Sequence, residues 1–151
     1  LKIEIVSVVP AGRDETWALV MDIPRAASCI PGIKDVTPDG EGRYQATLQA
    51  RVGPMGMTLS GVITVLSQDA DTGLAVFLVE ANDRRVGGGV KTNMSMKVTA
   101  KSPNETELEI VADTTFMGRL GELGQPIIRR KARNTLEEFS KNLNKLMASE
   151  Q

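Results

Sequence analysis

Between residues 92 and 116 the sequence alternates apolar and polar side chains twice, in a pattern that closes as a β-hairpin. Thr92, Met94, Met96, Val98 and Ala100 share one face of a strand, and Leu108, Ile110, Ala112, Thr114 and Phe116 share one face of the next. Folding about Ser102-Pro103-Asn104 sets Val98 opposite Leu108 and Met96 opposite Ile110. On the outer face it sets Lys97 opposite Glu109 and Lys101 opposite Glu105. Each opposed pair contributes only about 0.2–1 kcal/mol. Their agreement still defines the register, because a one-residue slip would turn every inner side chain to solvent. A chain holding this hairpin must build an antiparallel sheet with one apolar face, and that face must be covered.

The C-terminal segment supplies the cover. Ile128, Ala132, Leu136, Phe139, Leu143 and Leu146 recur at spacings of three and four, which makes one apolar helical stripe. Arg129, Arg130 and Arg133 lie away from it. Leu120, Leu123 and Ile127 lie off the stripe by about a third of a turn or more, at ~100° per residue. Proline is tolerated in a first helical turn and disrupts an interior, so Pro126 marks a start. The spacing therefore predicts a short turn at Arg119–Leu123, a kink, and a main helix from about Pro126 to Met147, roughly 33 Å long.

The remaining elements read as a strand over Leu1 to Val9, then a short helix over Asp14 to Met21 carrying Trp17, then another over Pro24 to Cys29. A short strand follows at Lys34 to Thr37. In Arg43 to Val52, Tyr44, Ala46, Leu48, Ala50 and Val52 share the inner face. A Gly53–Gly56 turn leads into a strand over Met57 to Gln68, where Met57, Leu59, Ile63 and Val65 are in register. Leu74 to Ala81, with Phe77, is apolar on both parities and reads as a central strand. The fold class is α+β: a curved antiparallel sheet of about six to seven strands wrapped on a long C-terminal helix, with two short helices after strand 1. No repeat or linker divides the chain, so one domain over residues 1–151 is expected. A bent sheet cannot close fully around one helix, and the gap is expected to be a hydrophobic cavity.

Counting removes several chemistries. There is no histidine, the commonest general base and metal ligand. Cys29 is the only cysteine, so neither an internal disulfide nor a cysteine-based zinc site can form, and no metal is expected. It reads as a small buried hydrophobe. Net charge is −1 and aromatics make up 3%, which argues against nucleic acid as a partner. No stretch reaches the length of a membrane span, and the N-terminus lacks a signal-peptide pattern, so a cytoplasmic protein is expected. Gly87-Gly88-Gly89 opens no helix and reads as a turn or bulge rather than a phosphate loop.

Candidate ligand contacts follow from the inner face. Seven methionines are many for this length, and Met55, Met57, Met94, Met96 and Met117 fall at sheet or helix-start positions. Methionine is soft enough to line an adaptable cavity or to fill an irregular core, and both readings stay open for Met94 and Met96. The ligand-binding reading is preferred for Met55 and Met57 at the hairpin tip, and Leu59 and Phe77 are placed with them. Phe116, Leu120 and Leu123 form either a movable gate or a structural corner, with Ile128 beside them. Tyr44, Thr92 and Thr114 carry inner-face hydroxyls that need partners, whether a ligand oxygen, a backbone carbonyl or water. Arg129, Arg130 and Arg133 form either a docking patch for an acidic partner or anionic lipid, or a solvated helix face. No catalytic residue is assigned.

Taken together, Trp17, Asp22, Cys29-Ile30-Pro31-Gly32, Gly40-Glu41-Gly42-Arg43-Tyr44, Val52-Gly53-Pro54, Gly61, Phe116-Met117-Gly118-Arg119 and Gly124 resemble the CoxG family. These are proteins associated with carbon monoxide dehydrogenase, within the START-like, helix-grip (SRPBCC) superfamily. The likeness covers about residues 1 to 147. Pro126 departs from it, standing where the family's helix usually continues. The resemblance implies a non-catalytic accessory protein of a molybdenum hydroxylase that binds a quinone- or lipid-like molecule and works at the inner face of the membrane. It implies no metal-ligated or covalently bound cofactor. Two other functions remain open: a polyketide cyclase or aromatase-like enzyme, which needs acid–base groups converging on the cavity, and an assembly factor acting by protein contact alone.

Overall fold

A computed structural model describes residues 1–83, 85 and 87–150. Strand β1 (Lys2–Val9) leads into helices α1 (Arg13–Met21) and α2 (Ile23–Ala27). Strands β2 (Ile33–Pro38), β3 (Arg43–Val52), β4 (Met55–Asp69), β5 (Leu74–Asp83), β6 (Gly88–Ser102) and β7 (Glu105–Gly118) follow. A 3-10 turn (Arg119–Leu123) then delivers the chain to α3 (Gln125–Ser149). The strands form one seven-stranded antiparallel sheet in the order β1-β7-β6-β5-β4-β3-β2, which puts β5 in its interior as its composition predicted.

The β6–β7 register is the expected one, with Val98 opposite Leu108, Met96 opposite Ile110 and Lys97 opposite Glu109. The Lys101–Glu105 pair is corrected. Ser102 pairs with Glu105, and Lys101 is the extra residue of a bulge between Ala100 and Ser102. The turn itself has shrunk to Pro103-Asn104, where the Asn104 N–H donates to Ser102 Oγ at 3.3 Å. The β3–β4 turn is also tighter than its composition suggested. Val52 pairs with Met55, so Gly53-Pro54 alone makes the turn and Met55 and Gly56 belong to β4. Gly53 has φ +59°, a conformation that two-residue hairpins need and that glycine adopts without strain.

Helix α3 runs for 25 residues, about 37 Å at the usual rise. Pro126 sits in its first turn, where a missing N–H breaks no helical hydrogen bond, so it marks the helix start as its position predicted. The Arg119–Leu123 turn enters through Gly118 at φ +62°. A Cβ on Gly118 would stand 2.2 Å from the Gly87 carbonyl oxygen, so only glycine fits.

The core falls into two clusters. The larger joins α1, α2 and the C-terminal half of α3 to the sheet, through Leu19, Val20, Ile23, Phe139, Leu143 and Met147 against Phe77, Met96, Leu108 and Ile110. The smaller gathers Val52, Met57, Leu59, Ala81 and Leu120 at the other end. Side chains on the C-terminal half of α3 also tie it down. Ser140 Oγ meets Ser7 Oγ at 2.9 Å, Asn142 donates to the Cys29 carbonyl at 2.9 Å, and Asn144 donates to the Val8 carbonyl at 3.2 Å. Arg25 on α2 pairs with Glu150 just beyond the helix.

Candidate functional site

A cavity of about 210 Å³ separates the two core clusters. Strands β3 to β7 form its floor, the N-terminal half of α3 its roof, and the Ile30-Pro31 segment with Ile33 one side. The space exists because the residues around it are small. Ala46, Ala50, Gly61, Ala81 and Ala112 face it from the sheet and Ala132 from the helix. Gly61 also lets its neighbour approach, since a Cβ there would stand 2.7 Å from the Ala81 Cβ. The cavity is smaller than the roughly 300–1,000 Å³ of typical ligand pockets. It is larger than the ~150 Å³ hole that takes up benzene, so it has room for one or two fused rings.

The lining is almost entirely hydrocarbon. Lys131, half-buried on α3, is the only ionisable side chain among the described residues that line it. Thr135 donates to the Lys131 carbonyl at 2.8 Å, within its own helix. The hydroxyls of Thr92 and Thr114 lie 3.0 Å apart and bond to each other across the β6–β7 pair. Among the described residues no group of three or more metal-ligating side chains could hold a metal ion.

Of the candidate contacts singled out from the sequence, Met57, Leu59, Thr92, Thr114, Phe116 and Leu120 line this cavity. The others lie outside it. Phe77, Met94 and Met96 surround a separate void of about 40 Å³ beneath α1, α2 and Phe139. Tyr44 packs against the larger cluster, and Met55 and Leu123 pack against the smaller. Ile128 lines a second space of about 180 Å³, beside Leu1, Gly121 and Gln125. Thr114 and Phe116 border both that space and the main cavity, so they form the partition between them. Among the methionines, Met57 lines the cavity, whereas Met96 and Met94 take the core-filling alternative left open for them. The informative pattern was the run of alanines on the inner faces of β3, β5 and β7, where volume is missing.

Arg129, Arg130 and Arg133 are mostly solvent-facing. Arg133 reaches Glu137 at 3.8 Å, whereas Arg129 and Arg130 have no ion pair among the described residues. Ile127 beside them and Met117 at the end of β7 are large exposed apolar side chains. Cys29 is buried, and that burial pushes its thiol pKa up, which keeps it protonated and unreactive.

The roof of the cavity has weaker support than the rest of its helix. The side-chain hydrogen bonds that tie α3 to β1 and to Cys29 beyond α2 all fall at Ser140 and beyond. Amide hydrogen exchange is therefore expected to be slower over residues 139–147 than over 129–136. Equal protection along the helix would show that the cavity does not weaken its cover.

A family model for CoxG, a subunit of carbon monoxide dehydrogenase, matches residues 7–148. No curated protein gives a significant match in sequence. Among solved structures, a conserved protein from Geobacillus kaustophilus superposes with a TM-score of 0.88 at 21% identity, covering 99% of this chain and 96% of that one. A START superfamily protein from Mycobacterium smegmatis gives 0.70 at 15% identity over 99% of both chains. The Zhui aromatase/cyclase of a Streptomyces species gives 0.64 at 15% identity, over 99% of this chain and 92% of that one. At these identities the likeness is one of fold: a START-like helix-grip.

Proposed function

Because this chain belongs to the CoxG family of carbon monoxide dehydrogenase subunits, we propose that it is a non-catalytic accessory protein that carries a hydrophobic small molecule between its sheet and α3. The observation that carries this reading is the cavity of about 210 Å³ with a hydrocarbon lining. Transfer of apolar ligand surface out of water supplies about 25 cal/mol per Å², and Lys131 is the single ionisable side chain among the described lining residues. The size favours the ring of a quinone-like molecule over a whole lipid, with any long tail lying outside. The oxidoreductase it serves is a molybdenum hydroxylase of the carbon monoxide dehydrogenase kind. Arg129 and Arg130, next to exposed Ile127, offer the docking face toward that partner or toward the inner face of a membrane.

A cyclase or aromatase role would need acid and base groups meeting around one substrate. Lys131 alone does not provide such a pair. A purely structural role in assembly would leave the cavity without use.

Organic extracts of the purified protein, read by mass spectrometry, test the proposal. A ring-bearing hydrophobic molecule is expected at close to one per protein, and Arg129→Glu/Arg130→Glu is expected to weaken capture of the oxidoreductase without emptying the cavity. An empty extract together with no uptake of added quinone would count decisively against it.

A further inference from the structure

The polar groups around the cavity leave one hydroxyl proton without an acceptor. Thr135 commits its proton to the Lys131 carbonyl. Thr92 and Thr114 own two protons between them, and their mutual bond at 3.0 Å uses one. Among the described residues neither hydroxyl has another side-chain or backbone partner; Thr114 is buried and Thr92, facing the cavity, is half-buried. Buried donors in folded proteins almost always find an acceptor.

We propose that the Thr92–Thr114 pair is the polar anchor of the cavity, donating one hydrogen bond to a carbonyl oxygen on an otherwise apolar ring. The pair thereby selects carbonyl-bearing cargo over a hydrocarbon of the same shape. This rests on the cavity-binding reading above. A carbonyl oxygen meets the need and brings no proton of its own to be satisfied. Either threonine can be the donor in the mutual bond, so the free proton can leave from either oxygen. Removing one hydroxyl therefore leaves the other able to serve, and only loss of both abolishes selection.

The test uses two probes of matched shape, 1-tetralone with one carbonyl and tetralin with none, titrated into the whole protein. Dissociation constants are compared as the ratio of tetralin to 1-tetralone. In Thr92→Val/Thr114→Val that ratio is expected to fall about threefold to tenfold below wild type, the worth of one hydrogen bond. Each single valine variant should keep the wild-type ratio. A packing role alone would shift both probes together and leave the ratio unmoved. A second measurement needs no variant: the infrared carbonyl stretch of 1-tetralone should move to lower wavenumber on binding wild-type protein, relative to its position in hexane. An unchanged ratio in the double variant, or an unshifted carbonyl band in wild type, overturns the anchor while leaving cavity binding in place. Failure of wild type to bind either probe overturns both.

Discussion

Ala112→Phe is expected to lower the affinity for tetralin or a quinone by about a hundredfold or more while the protein stays folded. Ala112 lies on the inner face of β7, between Ile3 on β1 and Met94 on β6, and its methyl group borders the cavity. A phenyl ring is the size of the benzene that a ~150 Å³ hole accepts, so it fits into this space and leaves no room for a second ring. Overpacking a filled core costs about 1–3 kcal/mol, and here the added ring enters space that is already present, so the loss of stability should lie at or below that range. Val111, the neighbour whose side chain points to the opposite face, supplies the control. Val111→Phe should leave binding as it is in wild type. The measurements are calorimetric titration for affinity and urea unfolding for stability. Wild-type affinity in a folded Ala112→Phe protein would place the ligand somewhere other than this cavity.

The architecture was readable because its main determinants are local and periodic. In β6 and β7 the alternation of Met94, Met96 and Val98 against Leu108, Ile110 and Ala112 leaves one register, and the sheet adopts it. The 3-10 turn at Arg119–Leu123 was legible from the break in phase between Leu120–Leu123 and Ile128. Turn lengths were less legible. The Ser102-Pro103-Asn104 and Gly53–Gly56 segments each look like loops by composition, and both close through two residues. Turn residues announce a reversal, but the number of paired residues beside it depends on strand twist and on bulges such as that at Lys101.

The site was less legible than the fold. A strand's periodicity says which side chains face inward, and it says nothing about which of them touch. Phe77, Met94, Met96, Met57 and Leu59 are all inward, yet the first three meet Phe139 and α2 while the last two face the cavity. That division depends on where α3 crosses the sheet, a relation among residues far apart in sequence. The Thr92–Thr114 bond is an intermediate case. Their cross-strand pairing follows directly from the hairpin register, and the hydroxyl-to-hydroxyl bond could have been inferred from it.

Phe139→Ala is the substitution expected to cost most in stability. Phe139 is 4% exposed and joins α3 to Val20, Ile23 and Ala27 on one side and to Phe77 and Met96 on the other. Truncation removes the transfer free energy of the ring and enlarges a void of about 40 Å³ already present beside it. Buried phenylalanine-to-alanine changes cost about 3–5 kcal/mol. For a chain of this length that corresponds to a fall of roughly 6–20 °C in Tm. Leu136→Ala, one turn earlier on the same stripe, makes the informative comparison. Leu136 faces the cavity, so part of its side chain has no packing partners to lose, and its cost should sit near the low end of about 2–5 kcal/mol. Urea unfolding of both variants should therefore rank Phe139→Ala as the more destabilised. Ligand titration should rank them the other way, because of the two only Leu136 lines the cavity. Equal stability costs would mean that α3 is packed as tightly over the cavity as over the core, and the division of the interior into a solid end and a hollow end would fail with it.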